Sequence, residues 1–266
     1  MMPDNESNSV QVSFGLRIGE GTLNATLEVP AGKTTLSKML PILQDFDSRM
    51  INRVTDEAAV AGHPISCRAG CAACCRQMVP LSIFEAEFLG EWFGTLPPER
   101  QAVLEERFRQ ALTKLKEAGV LEKIMDQSWG ADDKSFVQMA IDYFHAEVPC
   151  PFLENENCSI HPMRPLVCRE YLVTSPAKLC DDPSINQINA VHLPLMPSQA
   201  LYRIGQELTR ESRGWMPLIF LLAWTKRGMK PGEFYSGTGQ EVLRLFMEHL
   251  TTEPPAEGAA LMGPRL

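Results

Sequence analysis

The chemistry of this 266-residue chain lies in its eight cysteines, which are grouped rather than scattered. Cys67, Cys71, Cys74 and Cys75 form a C-x3-C-x2-C-C run, and Cys150, Cys158, Cys168 and Cys180 form a second set further along. Cysteines that serve only as small buried hydrophobes would be spread through the sequence, so this clustering reads as metal ligation. An all-thiolate donor set suits an iron–sulfur cluster or zinc, not magnesium or calcium, which take oxygen ligands. Structural zinc usually sits on pairs of C-x2-C knuckles; the spacing here is different and favours an iron–sulfur cluster over zinc.

On a helix, Cys67, Cys71, Cys74 and Cys75 would fall at i, i+4, i+7 and i+8 along one face. Thiolates from one face cannot surround a metal, so partners must come from elsewhere. The second set supplies them. Pro149, Pro151, Pro162 and Pro165 disfavour continuous helix there and leave loops that can aim sulfur inward. His161 lies within this segment and is read as hydrogen-bonding near the site more than as a ligand; His63, before Cys67, has a weaker claim. Arg164 and Arg169 either offset thiolate charge or pair with an acidic side chain such as Glu170.

The combination C-x3-C-x2-C-C, Cys150-Pro151-Phe152-Leu153, Cys158-Ser159-Ile160-His161 and Arg164-Pro165-x2-Cys168-Arg169 resembles a cysteine-cluster family described as zinc- or iron-chelating. The resemblance covers about residues 60 to 175, and flagellin lysine N-methylase shares the motif type. It implies metal binding by Cys67, Cys71, Cys74, Cys75, Cys150, Cys158 and Cys168, and it hints at redox or protein-modifying chemistry. Cys180 lies outside the pattern and joins the ligand set on proximity in sequence.

The elements that must position these residues are mainly helical. Alternating apolar residues from Val10 to Ile18 and from Leu23 to Val29, around Gly19-Glu20-Gly21, predict a β-hairpin over 10–29. It should pack on the helical body, since a lone hairpin is marginal in water. Leu36, Met39, Leu40, Leu43, Phe46, Met50 and Val54 mark a helical face over about 34–61, with Pro41 a kink or interruption. Ser82 and Glu85 suggest a capping box for the next helix. Pro97-Pro98-Glu99 opens another, which Gly119 ends. A further helix is expected over 133–146 and two or three more between 197 and 251. The apolar run Trp215 to Trp224 reads as a buried helix, too short for the ~20 residues a membrane span needs.

The fold class expected is therefore mainly α: a helical domain around a cysteine-rich metal site, with an N-terminal β-hairpin. The division is 1–30 for the N-terminal segment, 31–185 for the metal-binding domain, 186–252 for the C-terminal helices and 253–266 for a flexible tail. At 44% hydrophobic content the chain can bury a real core. A net charge of −8 and a pI near 5.2 argue against nucleic-acid and anionic-membrane partners. No basic segment followed by an apolar stretch opens the sequence, so a cytoplasmic location is expected, where thiols stay reduced.

Two familiar motifs fail on inspection. Ala31-Gly32-Lys33-Thr34 resembles the end of a phosphate-binding loop, but the motif requires glycine where Leu27 stands. Cys67-x3-Cys71-x2-Cys74 has the spacing of radical S-adenosylmethionine enzymes, yet the alternating strands and helices of their barrel are missing. No Ser-His-Asp set or carboxylate pair marks a catalytic residue or a substrate. Two readings stay open: an iron–sulfur-dependent redox or protein-modifying enzyme, or a non-catalytic structural or sensing metalloprotein acting as a binding module. Its partner is a protein or a small molecule.

Overall fold

A computed structural model describes residues 8–18, 21–126, 133–210, 213–228 and 230–252. The centre of the expected hairpin turn and the 253–266 tail lie outside the described residues. The chain is mainly α, with a short antiparallel hairpin at its start.

Strands β1 (Ser9–Ile18) and β2 (Gly21–Pro30) pair over their full length, with Val12 opposite Leu27 and Leu16 opposite Leu23. The strict alternation sends Leu16, Ile18, Ala25, Leu27 and Val29 into the core and leaves Gln11, Arg17, Asn24 and Glu28 in solvent. The apolar face rests on helices α1 (Leu36–Val60) and α9 (Gly239–Thr251), with the Phe14 and Phe46 rings edge to face at 5.8 Å. A two-residue strand β3 (Lys33–Thr34) follows the hairpin. Thr35 then caps α1, its hydroxyl accepting from the Lys38 N–H at 3.3 Å.

Helix α1 runs through Pro41 instead of stopping there. Proline removes only the N–H that would reach the Ser37 carbonyl, and Met39, Leu40, Leu43 and Phe46, all fully buried, hold the turns on either side. Strand β4 (Pro80–Ser82) leads into α2 (Ile83–Thr95), which opens on the expected capping box of Ser82 and Glu85. Helix α3 (Pro98–Glu117) ends before Gly119, whose φ of 68° is the left-handed backbone that glycine adopts without strain. Helices α4 (Leu121–Asp126) and α5 (Asp133–His145) lead to the second cysteine segment, which carries a small hairpin of β5 (Leu153–Glu154) and β6 (Asn157–Cys158) and a short helix α6 (Leu166–Glu170).

Helix α7 (Pro197–Thr209) then packs on α9 and is tied to β4 by the buried Tyr202 hydroxyl, which donates to the Pro80 carbonyl at 3.1 Å. The run from Trp215 to Trp224 is not the single helix expected. It splits into β7 (Trp215–Pro217), a 3-10 turn (Leu218–Phe220) and α8 (Leu221–Thr225). Pro217 cannot sit inside a helix without cost, and the first three residues gain partners by pairing with β4, Ser82 opposite Trp215. Finally β8 (Gly237–Thr238) pairs with β3 and caps α9 through a second capping box, Thr238 with Glu241. Among the described residues no helix is long and apolar enough to cross a membrane.

Candidate metal centre

The first cysteine segment is not the helix that its spacing permits. Cys67 lies in irregular chain after α1; Gly70, at φ 82°, lets the chain turn back so that the Cys71 N–H reaches the Arg68 carbonyl at 3.0 Å. Cys74 and Cys75 sit in a 3-10 turn (Ala73–Arg76). Breaking the helix spreads the four sulfurs, which one helix face would have held in a line.

The second segment is irregular but anchored. The Cys150 N–H donates to the Cys75 carbonyl at 2.7 Å, joining the two segments by main chain. Two residues on, Phe152 is 1% exposed and meets Phe108 and Trp92 edge to face at 5.6 and 6.1 Å. Asn155 and Glu156, at φ 50° and 56°, make the tight turn that places Cys158 opposite Leu153. Arg100 and Arg107 of α3 both pair with Glu154, the latter at 2.8 Å, and Arg76 reaches Glu156 at 2.9 Å. The hairpin is thus fastened to α3 on one side and to the first cysteine segment on the other.

Cys168 sits on α6, which two buried carboxylates pin at its ends. Glu85 Oε1 accepts from the Leu166 N–H at 2.8 Å, while its other oxygen completes the Ser82 capping box. Glu170 accepts from the Ser198 N–H at 2.7 Å, and from the Ser198 hydroxyl, at the start of α7. Burial raises both carboxyls above their ordinary values, Glu170 to about 7, with these donors acting in the opposite direction. The capping-box spelling in the sequence showed only the local half of Glu85's role; its reach to Leu166 across 81 positions leaves no sequence signature.

Cys180 lies in a further 3-10 turn (Ala177–Asp181), which packs against the Ala73–Arg76 turn. All eight cysteines, Cys67, Cys71, Cys74, Cys75, Cys150, Cys158, Cys168 and Cys180, line one cavity of about 610 Å³. All are free thiols; seven are partly exposed and Cys180 is buried. Among the described residues no three His, Cys, Asp or Glu side chains converge tightly enough to hold a metal ion as they stand. The sulfurs are distributed around a wall.

That wall penalises thiolate charge. Burial pushes the thiols of Cys67, Cys158 and Cys168 up, Cys150 up to about 12 and Cys180 up to about 11, with neighbouring sulfurs adding to the rise in each. Cys74 goes the other way, down to about 7, because the Cys75 thiol donates to it; Cys75 rises for the same reason. Metal must therefore displace protons from the thiols that burial raises.

Arg164 also lines the cavity and lowers the thiols of Cys67, Cys74, Cys158 and Cys168. Its Nε is buried without a hydrogen-bond partner. Arg169 does not pair with Glu170: it donates to the Arg164 carbonyl and the Ser48 hydroxyl, each at 3.2 Å, and to the Pro162 carbonyl. Behind them on α1, Asp47 is fully buried with neither carboxylate oxygen hydrogen-bonded. His161 belongs to the cavity wall, and His63 does not. The donor set fits a thiophilic metal, since eight cysteines line the same space, with Arg68 and Arg164 also in its wall.

The rest of the wall is largely apolar and includes Met78, Phe152, Ile160, Leu172, Val191 and Leu218. A bare ion needs no such volume; about 300–1,000 Å³ is typical of sites that take small organic ligands. No curated protein and no solved structure matches this chain. Residues 66–189, which span all eight cysteines, match the CxxCxxCC family, described as a putative zinc- or iron-chelating domain.

Proposed function

We propose that the chain is an iron–sulfur protein whose metal is held by the eight cysteines at the wall of a ligand-sized cavity, where it serves redox or group-transfer chemistry. One observation carries this reading: every cysteine in the sequence lines the same mainly apolar cavity of about 610 Å³. Eight thiols around a cavity with room for a polynuclear cluster favour iron–sulfur over a single zinc ion. Bound there, a cluster would supply electron transfer or an open iron for a substrate.

The chain's own residues do the rest. Arg164 offsets thiolate charge, the tied hairpin and pinned α6 fix the sulfurs, and the apolar wall excludes water and offers contact to an apolar substrate. A second reading, a structural or sensing centre, draws on the way the cysteine segments tie α6 and the small hairpin into one unit. The two readings part on access: exogenous thiol or cyanide should perturb the paramagnetic spectrum of a reduced, open centre and leave a closed one unchanged.

Protein produced in iron-replete cells and kept anaerobic should contain iron and acid-labile sulfide and show visible absorbance from sulfide-to-iron charge transfer. Zinc without sulfide under the same conditions would overturn the iron–sulfur reading.

A further inference from the structure

Eight thiols exceed the four that one tetrahedral ion or one cubane cluster takes from a protein, and the fold sorts them into two sets. We propose that the cavity holds two metal centres, one bound by Cys67, Cys71, Cys74 and Cys180 and the other by Cys75, Cys150, Cys158 and Cys168. This rests on the metal-binding reading above and adds to it the number of centres and the ligands of each.

The sorting does not follow the sequence, in which Cys180 closes the second group and Cys75 the first. Main-chain contacts decide it. Ser66, just before Cys67, donates its N–H to the Val173 carbonyl at 2.9 Å, and its hydroxyl bonds the Ser175 carbonyl. That fastens the Cys67 end to the stretch leading directly into the Ala177–Asp181 turn, and the turn in turn packs on the one carrying both Cys74 and Cys75. Cys75, next along, turns its carbonyl to the Cys150 N–H.

The apolar packing divides along the same line. Cys67 rests against a small separate cluster of Ile51, Leu172 and Leu193, with Ile65 and Val191 around it. Cys150 and Cys158 rest against the main core, which also holds Phe152 and the Leu166 of α6 that brings Cys168. Cys74 and Cys75 stand at the seam, with their thiols in contact.

Side by side at the seam, Cys74 and Cys75 can serve one centre each, Cys75 on the side to which its carbonyl's bond with the Cys150 N–H ties it. The first set then draws on three stations of chain, at 67–71, 74 and 180, and the second on four, at 75, 150, 158 and 168. Each set approaches from several directions, as a four-coordinate site requires.

The test begins with the unmutated chain. Stripped of metal under reducing, anaerobic conditions and titrated with cobalt(II), it should develop its thiolate-to-cobalt absorbance up to two equivalents; a break at one equivalent overturns the proposal. Iron-reconstituted variants then check the partition. Cys71→Ser with Cys180→Ser should retain about half of the parent's metal, as should Cys150→Ser with Cys158→Ser, and the four substitutions together should retain none.

After reduction the parent should show the broadened paramagnetic spectrum of two neighbouring spins, and each pair variant the narrower signal of one. Loss of all metal from either pair variant whose circular dichroism remains that of the parent would mean a single shared centre and sink the idea. So would full metal retention in Cys71→Ser with Cys180→Ser. Two zinc ions per chain without sulfide would uphold the two centres while removing the iron–sulfur reading.

Discussion

The helical body and the cysteine-bearing segments are built on opposite principles. In the body, α1, α2, α7 and α9 with the β1–β2 hairpin bury periodic apolar faces against one another, and the backbone bonds are satisfied within each element. In the cysteine segments, regular elements run two to five residues, and order comes from isolated bonds between distant residues, such as Cys150 to Cys75 and Ser66 to Val173. A region of the first kind can stand without a ligand. A region of the second kind, held by such bonds and by a few core residues such as Phe152, Ile160 and Leu166, is expected to depend on whatever joins its thiols.

Removing the metal should break this comparison open. Chelation under reducing conditions is expected to cost on the order of 5 kcal/mol of stability or more, concentrated in residues 64–78 and 147–193, whose amides should lose protection from hydrogen exchange while those of α1 and α9 keep it. Because burial raises most of the thiols, rebinding must release protons, and apparent affinity should climb as pH rises. An unchanged melting transition after complete chelation would show that the metal is peripheral.

Phe152→Ala attacks the joint between the regions. Losing a fully buried ring that touches Phe108 and Trp92 should cost about 3–5 kcal/mol. Since Phe152 anchors the segment from Cys150 to Cys158, metal content should fall as well. Reduced stability with full metal would mean that the hairpin keeps its place without the anchor.

Glu85→Ala is expected to cost about 2–3 kcal/mol, because it leaves the Leu166 N–H and the Ser82 N–H without their buried acceptor. Its informative readout is the paramagnetic or absorption spectrum of the metal, which should shift as α6 and Cys168 loosen. A spectrum identical to the parent's would confine Glu85 to helix capping.

The smallest effect has the opposite sign. Asp47 is buried beside α6 with no hydrogen bond to its carboxylate, and burial first, then Glu170, raise its carboxyl well above the ordinary value. A carboxyl raised on folding contributes stability that is complete below its unfolded value and lost as pH climbs through the folded one. Asp47→Asn does not titrate, so it should stabilise the protein by about 1–3 kcal/mol at pH 8 and much less at pH 4. Denaturant midpoints for parent and variant at the two pH values check this; a pH-independent difference would show that Asp47 stays ionised in the fold.

The sequence by itself determined the periodic elements and the ligand chemistry. Alternation wrote the hairpin and its buried face, the 3.6-residue stripe from Leu36 to Val54 wrote α1, and Ser82 with Glu85 wrote the start of α2, because each signal lies within one turn or one strand of the residue it controls. Thiol clustering likewise named a thiophilic metal, since donor type is a property of side chains alone. Only the tertiary structure decided how the sulfurs are arranged. The pairings of β3 with β8 and of β4 with β7, the bond from Glu85 to Leu166 and the approach of Cys180 to Cys74 all join residues far apart in the chain. Such contacts are selected by the packing of the whole core, which places a sulfur according to where its backbone is carried and not according to its neighbours in sequence.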